Sequence, residues 1–126
     1  MNKLRLDHEM PECISDWGWQ FHHIGIPTHE QKPGEWHIPH LKIHVAGFPQ
    51  SPFGIEWMRF DPGCGISELT QTVPHIAFVV PDLDWELANR NLNILSSPSS
   101  PSGGVRVAMI EYNGAPVELM EFEKVQ

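Results

Sequence analysis

The chain is predicted to be an α+β protein: two small, curved mixed β-sheets related by a pseudo-twofold axis around a central cleft. Three observations predict this class. HIGI at 23–26 recurs as HIAF at 75–78, and IEWMRF at 55–60 recurs as VELMEF at 117–122 with the shared spacing Glu-x-Met-x-Phe. Twelve prolines and ten glycines in 126 residues cut the chain into short elements, which excludes a helical bundle. Only PDLDWELANRNL (81–92) carries a full set of helix signals, with Asp82 as cap, acids in the first turn, and Leu83 and Leu87 on one face.

The elements follow in order. Residues 1–20 show no clear period and read as an irregular N-terminal arm, and 21–126 read as one domain. Module one spans about 21–65. FHHIGIPT (21–28) is a short strand stopped by Pro27, and Pro33-Gly34 denies the next stretch a long helix. HLKIHVAGF (40–48) alternates, with His40, Lys42 and His44 on one face and Leu41, Ile43 and Val45 on the other. FGIEWMRF (53–60) is a strand ended by DPGCG.

Module two spans about 73–123. It opens with VPHIAFVV (73–80), apolar enough for a central strand, followed by the helix, a brief strand NIL (93–95) and a mobile loop, SSPSSPSGG (96–104). VRVAMIEY (105–112) and APVELMEF (115–122) form a hairpin about Asn113-Gly114, a pair suited to the positive φ angles of a type I′ turn. That turn sets Met109 opposite Glu118 and Arg106 opposite Glu121, the latter as an ion pair on the far face.

Charge and composition narrow the function classes. A formal charge of −8 without a Lys/Arg cluster disfavours nucleic acid and anionic membranes, and no apolar run approaches the ~20 residues of a membrane span. Without a signal-peptide h-region before Cys13, a cytoplasmic setting with Cys13 and Cys64 both free is expected.

Eight histidines are many for this length, and His23 and His75 each begin a strand. Glu56 and Glu118 lie within apolar strands, where an inward carboxylate is costly unless paired, protonated or bound to a metal. Two imidazoles and two carboxylates make a mixed N/O donor set suited to a divalent Zn, Ni, Co, Mn or Fe ion and not to an all-oxygen calcium site. At the doubled His22-His23, strand alternation turns one ring away from the cleft, and alignment with His75 selects His23.

HHIGIP, PHIAFVVPDLDWEL and PVELMEF together resemble the first strand, the fifth strand with its helix, and the last strand of the vicinal oxygen chelate superfamily. The nearest branches are the glyoxalase I-like and methylmalonyl-CoA epimerase-like ones. The resemblance covers about residues 21–123. It implies paired βαβββ modules, the glyoxalase-like fold, around a divalent metal held by His23, Glu56, His75 and Glu118. The first-module helix is expected to be short or absent.

The resemblance implies a metal-dependent lyase, isomerase or epimerase acting on a small α-hydroxycarbonyl, α-ketoacid or sugar-derived substrate through an enediolate. Glu56 or Glu118, helped by Glu111, would move the proton. Possible substrate contacts are His40, His44, Met58 and Met120, although core packing accounts better for the methionines and an exposed strand face accounts equally well for the histidines. A homodimer is expected. The alternatives are a non-enzymatic small-molecule binding protein of the same fold and an iron-dependent dioxygenase, the latter disfavoured by a carboxylate at position 56.

Overall fold

A computed structural model describes residues 4–124; the first three residues of the arm and the last two of the chain lie outside the described residues. Module one contains β1 (Gln20–Pro27), β2 (Trp36–Ile38), β3 (Ile43–Ala46) and β4 (Ile55–Phe60), and module two contains β5 (His75–Val79), β6 (Asn93–Ser99), β7 (Val105–Tyr112) and β8 (Ala115–Phe122). Helix α1 (Glu12–Ser15) precedes β1, α2 (Glu68–Thr72) links the modules, and α3 (Leu83–Asn89) follows β5.

The eight strands form one curled sheet in the order β2-β3-β4-β1-β5-β8-β7-β6. β1 runs parallel to β4, as β5 does to β8, and the two halves join where β1 and β5 pair antiparallel. The two expected sheets are therefore continuous within a single chain. The repeats occupy matching positions, with Gly25 beside Glu56 in module one and Ala77 beside Glu118 in module two.

Local chemistry explains much of this. Asn113 (φ 49°) and Gly114 (φ 81°) both adopt left-handed backbone, and the β7–β8 hairpin has the expected register, Met109 opposite Glu118 and Arg106 opposite Glu121. The Asp82 carboxylate caps α3 by accepting from the Trp85 N–H at 3.1 Å. Residues 28–35, where module one could carry a helix, contain none.

Other expectations are corrected. Arg106 does not pair with Glu121; it forks onto Asp84 of α3 at 3.0 and 3.1 Å, while Glu121 accepts from the Leu83 N–H. The continuous strand expected over 40–48 is interrupted by a turn ending at Lys42 (φ 56°), so β3 begins only at Ile43. The segment read as a mobile loop is strand as far as Ser99, because β7 supplies backbone partners that its Ser/Pro composition does not advertise. α2 and the three-residue β2 had no expectation attached.

The main core lies on the outer face of module two, where Leu83 of α3 packs with Phe78, Ala108, Ile110 and Leu119. The arm contributes here as well. Trp19 is 4% exposed inside this cluster, with Cys13, Ile14 and Trp17 packed against it. Both cysteines are free.

Candidate metal centre

His23 and His75 approach each other because β1 and β5 run antiparallel, with His23 opposite Ala77 and His75 opposite Gly25. The parallel pairings then bring Glu56 from one side and Glu118 from the other. Glu118 Oε1 lies 2.9 Å from His75 Nε2 and 3.4 Å from His23 Nε2, and Glu56 Oε1 lies 3.7 Å from His23 Nε2. His23, His75 and Glu118 offer ligand atoms that all lie within 4.8 Å of one another; Glu56 stands at the edge of this set.

Burial makes the arrangement demanding. His23 and His75 are 3% and 1% exposed. Among the described residues, four buried side-chain nitrogens have no hydrogen-bond partner: His23 Nε2, both ring nitrogens of His75, and Trp19 Nε1. The close approaches of His23 and His75 to Glu118 therefore lack hydrogen-bond geometry. Buried polar atoms are normally satisfied, so the unpartnered Nε2 atoms of His23 and His75, both close to one carboxylate, fit a divalent cation between them. The donor set, two nitrogens with one or two carboxylates, fits zinc, nickel, cobalt, manganese or iron.

Electrostatics divides the carboxylates into two kinds. Burial pushes Glu118 upward, but the imidazoles of His23 and His75 outweigh it and hold the carboxyl at about 2. Burial raises Glu56, and the charge of Glu118 adds to the rise against the opposing pull of His23 and His75. Burial lowers His23, but the neighbouring Glu118 and Glu56 prevail and leave it raised. Glu118 thus holds its charge to lower pH than an ordinary carboxylate, and Glu56 is the more readily protonated of the pair.

His22, which strand alternation was expected to turn away from His23, is a correction to the sequence reading. A register shift between Phe21 and His23 breaks the strand alternation and brings His22 beside its neighbour. Its Nδ1 lies 2.7 Å from His23 Nδ1, and its ring stacks on Phe48 at 4.8 Å and 10°. If His23 Nδ1–H donates to His22, the His23 Nε2 lone pair is left pointing at Glu118 and Glu56, as a metal ligand requires. The doubled histidine was visible in the sequence, but the bulge was not.

The remaining candidates scatter. Met58 and Met120 are buried on the inner face that carries Glu56 and Glu118, and Met120 packs with Ala77 and Val105. Glu111 accepts from Asn93 Nδ2 at 2.8 Å, near the outer edge of module two. His40 bonds the Ser100 carbonyl at 3.0 Å and so ties the β2–β3 turn to the β6–β7 loop. His44 pairs with Arg59, one residue beyond Met58, and therefore lies on the opposite face from the cleft.

No protein-family model and no curated protein matches the sequence. Among solved structures, the chain is similar to a hypothetical protein from Bacillus halodurans, at TM-score 0.63 and 16% identity over 86% of this chain and 97% of that one. It is also similar to methylmalonyl-CoA epimerase from Mycobacterium tuberculosis, at TM-score 0.61 and 20% identity over 83% and 89% of the two chains. At these identities the likeness concerns architecture alone. Taken with the paired modules meeting at β1 and β5, it establishes that this chain has the glyoxalase-like fold.

Proposed function

We propose that the cleft binds a divalent metal and that the protein is a metal-dependent lyase, isomerase or epimerase. Its substrate is a small molecule with vicinal oxygens, of the α-hydroxycarbonyl, α-ketoacid or sugar-derived class. The observation that carries this reading is the convergence on Glu118 of two buried imidazole Nε2 atoms, of His23 and His75, that have no hydrogen-bond partner, with a second carboxylate, Glu56, at the edge of the set. A solved structure of similar fold is an epimerase, which supports the class of chemistry without naming the substrate.

His23, His75 and Glu118 hold the ion in this reading. A bound divalent ion supplies positive charge next to two adjacent substrate oxygens and stabilises the negative charge created by proton loss. Glu56 takes the α-proton and returns it. Of the two carboxylates it is the one not clamped between imidazoles, and burial moves its proton affinity toward the working range of a general base. Met58 and Met120 line the same face and keep the local dielectric low. His22 holds the His23 ring in its ligating tautomer.

The test is hydrogen exchange at carbon. Metal-loaded protein in heavy water should incorporate deuterium at the α-carbon of members of a panel of small hydroxycarbonyl compounds. Glu56→Gln should retain its metal and lose exchange by ~100-fold or more. Loaded wild-type protein that exchanges no α-proton across the panel overturns the enzymatic reading. Tight ligand binding unaffected by a chelator assigns the cleft to a binding protein instead.

A further inference from the structure

The outer face of module one carries a second convergence of ligand atoms, separate from the cleft. His37 of β2 and His44 of β3 are directly opposed across the strands, with rings stacked at 4.3 Å and 10°. Asp61 follows β4 and is anchored by its backbone N–H to the Lys42 carbonyl at 2.9 Å. His44 Nε2 lies 3.1 Å from both Asp61 oxygens, and His37 Nε2 lies 3.6 Å from Oδ2. Ligand atoms from all three residues fall within 4.8 Å of one another.

The surroundings favour a cation here. Arg59, which faces His44 across the strands, is gripped by Glu35 through two bonds of 2.7 and 2.8 Å, so its charge is neutralised locally. Glu35 Oε1 also stands 3.7 Å from His44 Nδ1, on the side of the ring away from Asp61. That second carboxylate adds negative charge beside the His44 ring. The cluster is accessible, since the His37 and Asp61 side chains are 48% and 33% exposed. A broad depression of about 630 Å³, lined by Lys32, Glu35, His44 and Arg59, opens beside it.

We propose that His37, His44 and Asp61 form a second divalent-metal site, of the borderline class (zinc, cobalt, nickel or copper), that clasps the edge of module one. Two imidazoles and one carboxylate suit those ions and disfavour calcium or magnesium. Three protein ligands leave a position for water. The clasp has a structural use. On module two, α3 covers the outer face, whereas the corresponding connection in module one has no helix and its edge strand β2 is three residues long. A metal joining β2, β3 and the residue after β4 holds that short strand in register.

Cobalt(II) titration of untagged, chelator-stripped protein tests this, read by d–d absorption and by amide exchange of residues 36–46. The expected stoichiometry is two ions in the wild type, one in His75→Ala, one in His37→Gln and none in the double variant. The His37→Gln change should weaken the second site at least tenfold, and cobalt should slow exchange in 36–46 of the His75→Ala protein. His37 is exposed, so its replacement leaves the core intact. Binding of a single ion that is lost in His75→Ala and kept in His37→Gln overturns the proposal. A single ion with the reverse behaviour supports it and counts instead against the metal in the cleft.

Discussion

Gly25 is the floor on which the His75 imidazole rests. A Cβ added at Gly25 would lie 2.5 Å from His75 Nε2 and 2.7 Å from Nδ1, closer than atoms can pack. The two residues face each other across the β1–β5 pairing that joins the modules. A side chain at position 25 would therefore occupy the place of the His75 ring. Gly25→Ala is expected to push His75 out of line, at an overpacking cost of ~1–3 kcal/mol. Bound metal per chain should fall sharply while the circular dichroism of the sheet is retained.

The contact between His22 and His23 makes a separate prediction. His22→Phe keeps the stack on Phe48 but removes the nitrogen that meets His23 Nδ1 at 2.7 Å. Loss of such an outer partner lowers metal affinity ~10–100-fold. Competition with a fluorescent chelator measures the change, and an unaltered affinity would show that His22 is packing alone.

In the metal-free protein, Glu118 and His23 impose opposite pH limits. Glu118 is held at about 2 against an ordinary 4.5, so its contribution to stability is present above 4.5 and lost as pH falls toward 2. His23 is raised from 6.5, so its contribution is complete below 6.5 and lost as pH rises through the raised value. Denaturant midpoints of stripped protein should therefore decline on both sides of the interval between 4.5 and 6.5. Glu118→Gln should flatten the acid limb and weaken the alkaline one.

Proton competition also governs loading. Because His23 must lose its proton to ligate and its affinity for protons is raised, metal affinity should fall by up to about tenfold per pH unit below that value. Isothermal titration at several pH values reads the slope, and His23→Gln should reduce it.

Away from the site, Asp82→Ala removes the carboxylate that caps α3. The expected loss is ~1 kcal/mol, seen as a lower urea midpoint with an unchanged slope. Leu83→Ala, at a side chain with no exposed surface in the same turn, should cost more, ~2–5 kcal/mol.

Legibility in the sequence followed the range of the interactions involved. Asn113-Gly114 demands positive φ at two successive residues, and that local requirement alone set the Met109–Glu118 register. The cap at Asp82 and the absence of a helix before β2 were equally local. β6 was misread beyond Leu95 because its Ser/Pro sequence becomes a strand only through the β7 edge beside it. Arg106 was assigned to Glu121 because strand register cannot foresee that α3 brings Asp84 closer.

For the candidate centre the same division holds. Sequence by itself determined which four side chains to compare, because the His and Glu phrases repeat at equivalent strand positions in two modules. Only the tertiary structure decided that His23, His75 and Glu118 crowd together with Glu56 at their edge, that His22 turns in beside His23, and that His44 belongs to the other face. Those distances depend on a bulge in β1, on the curl of the sheet and on the missing Cβ of Gly25, each the result of packing between segments far apart in the chain.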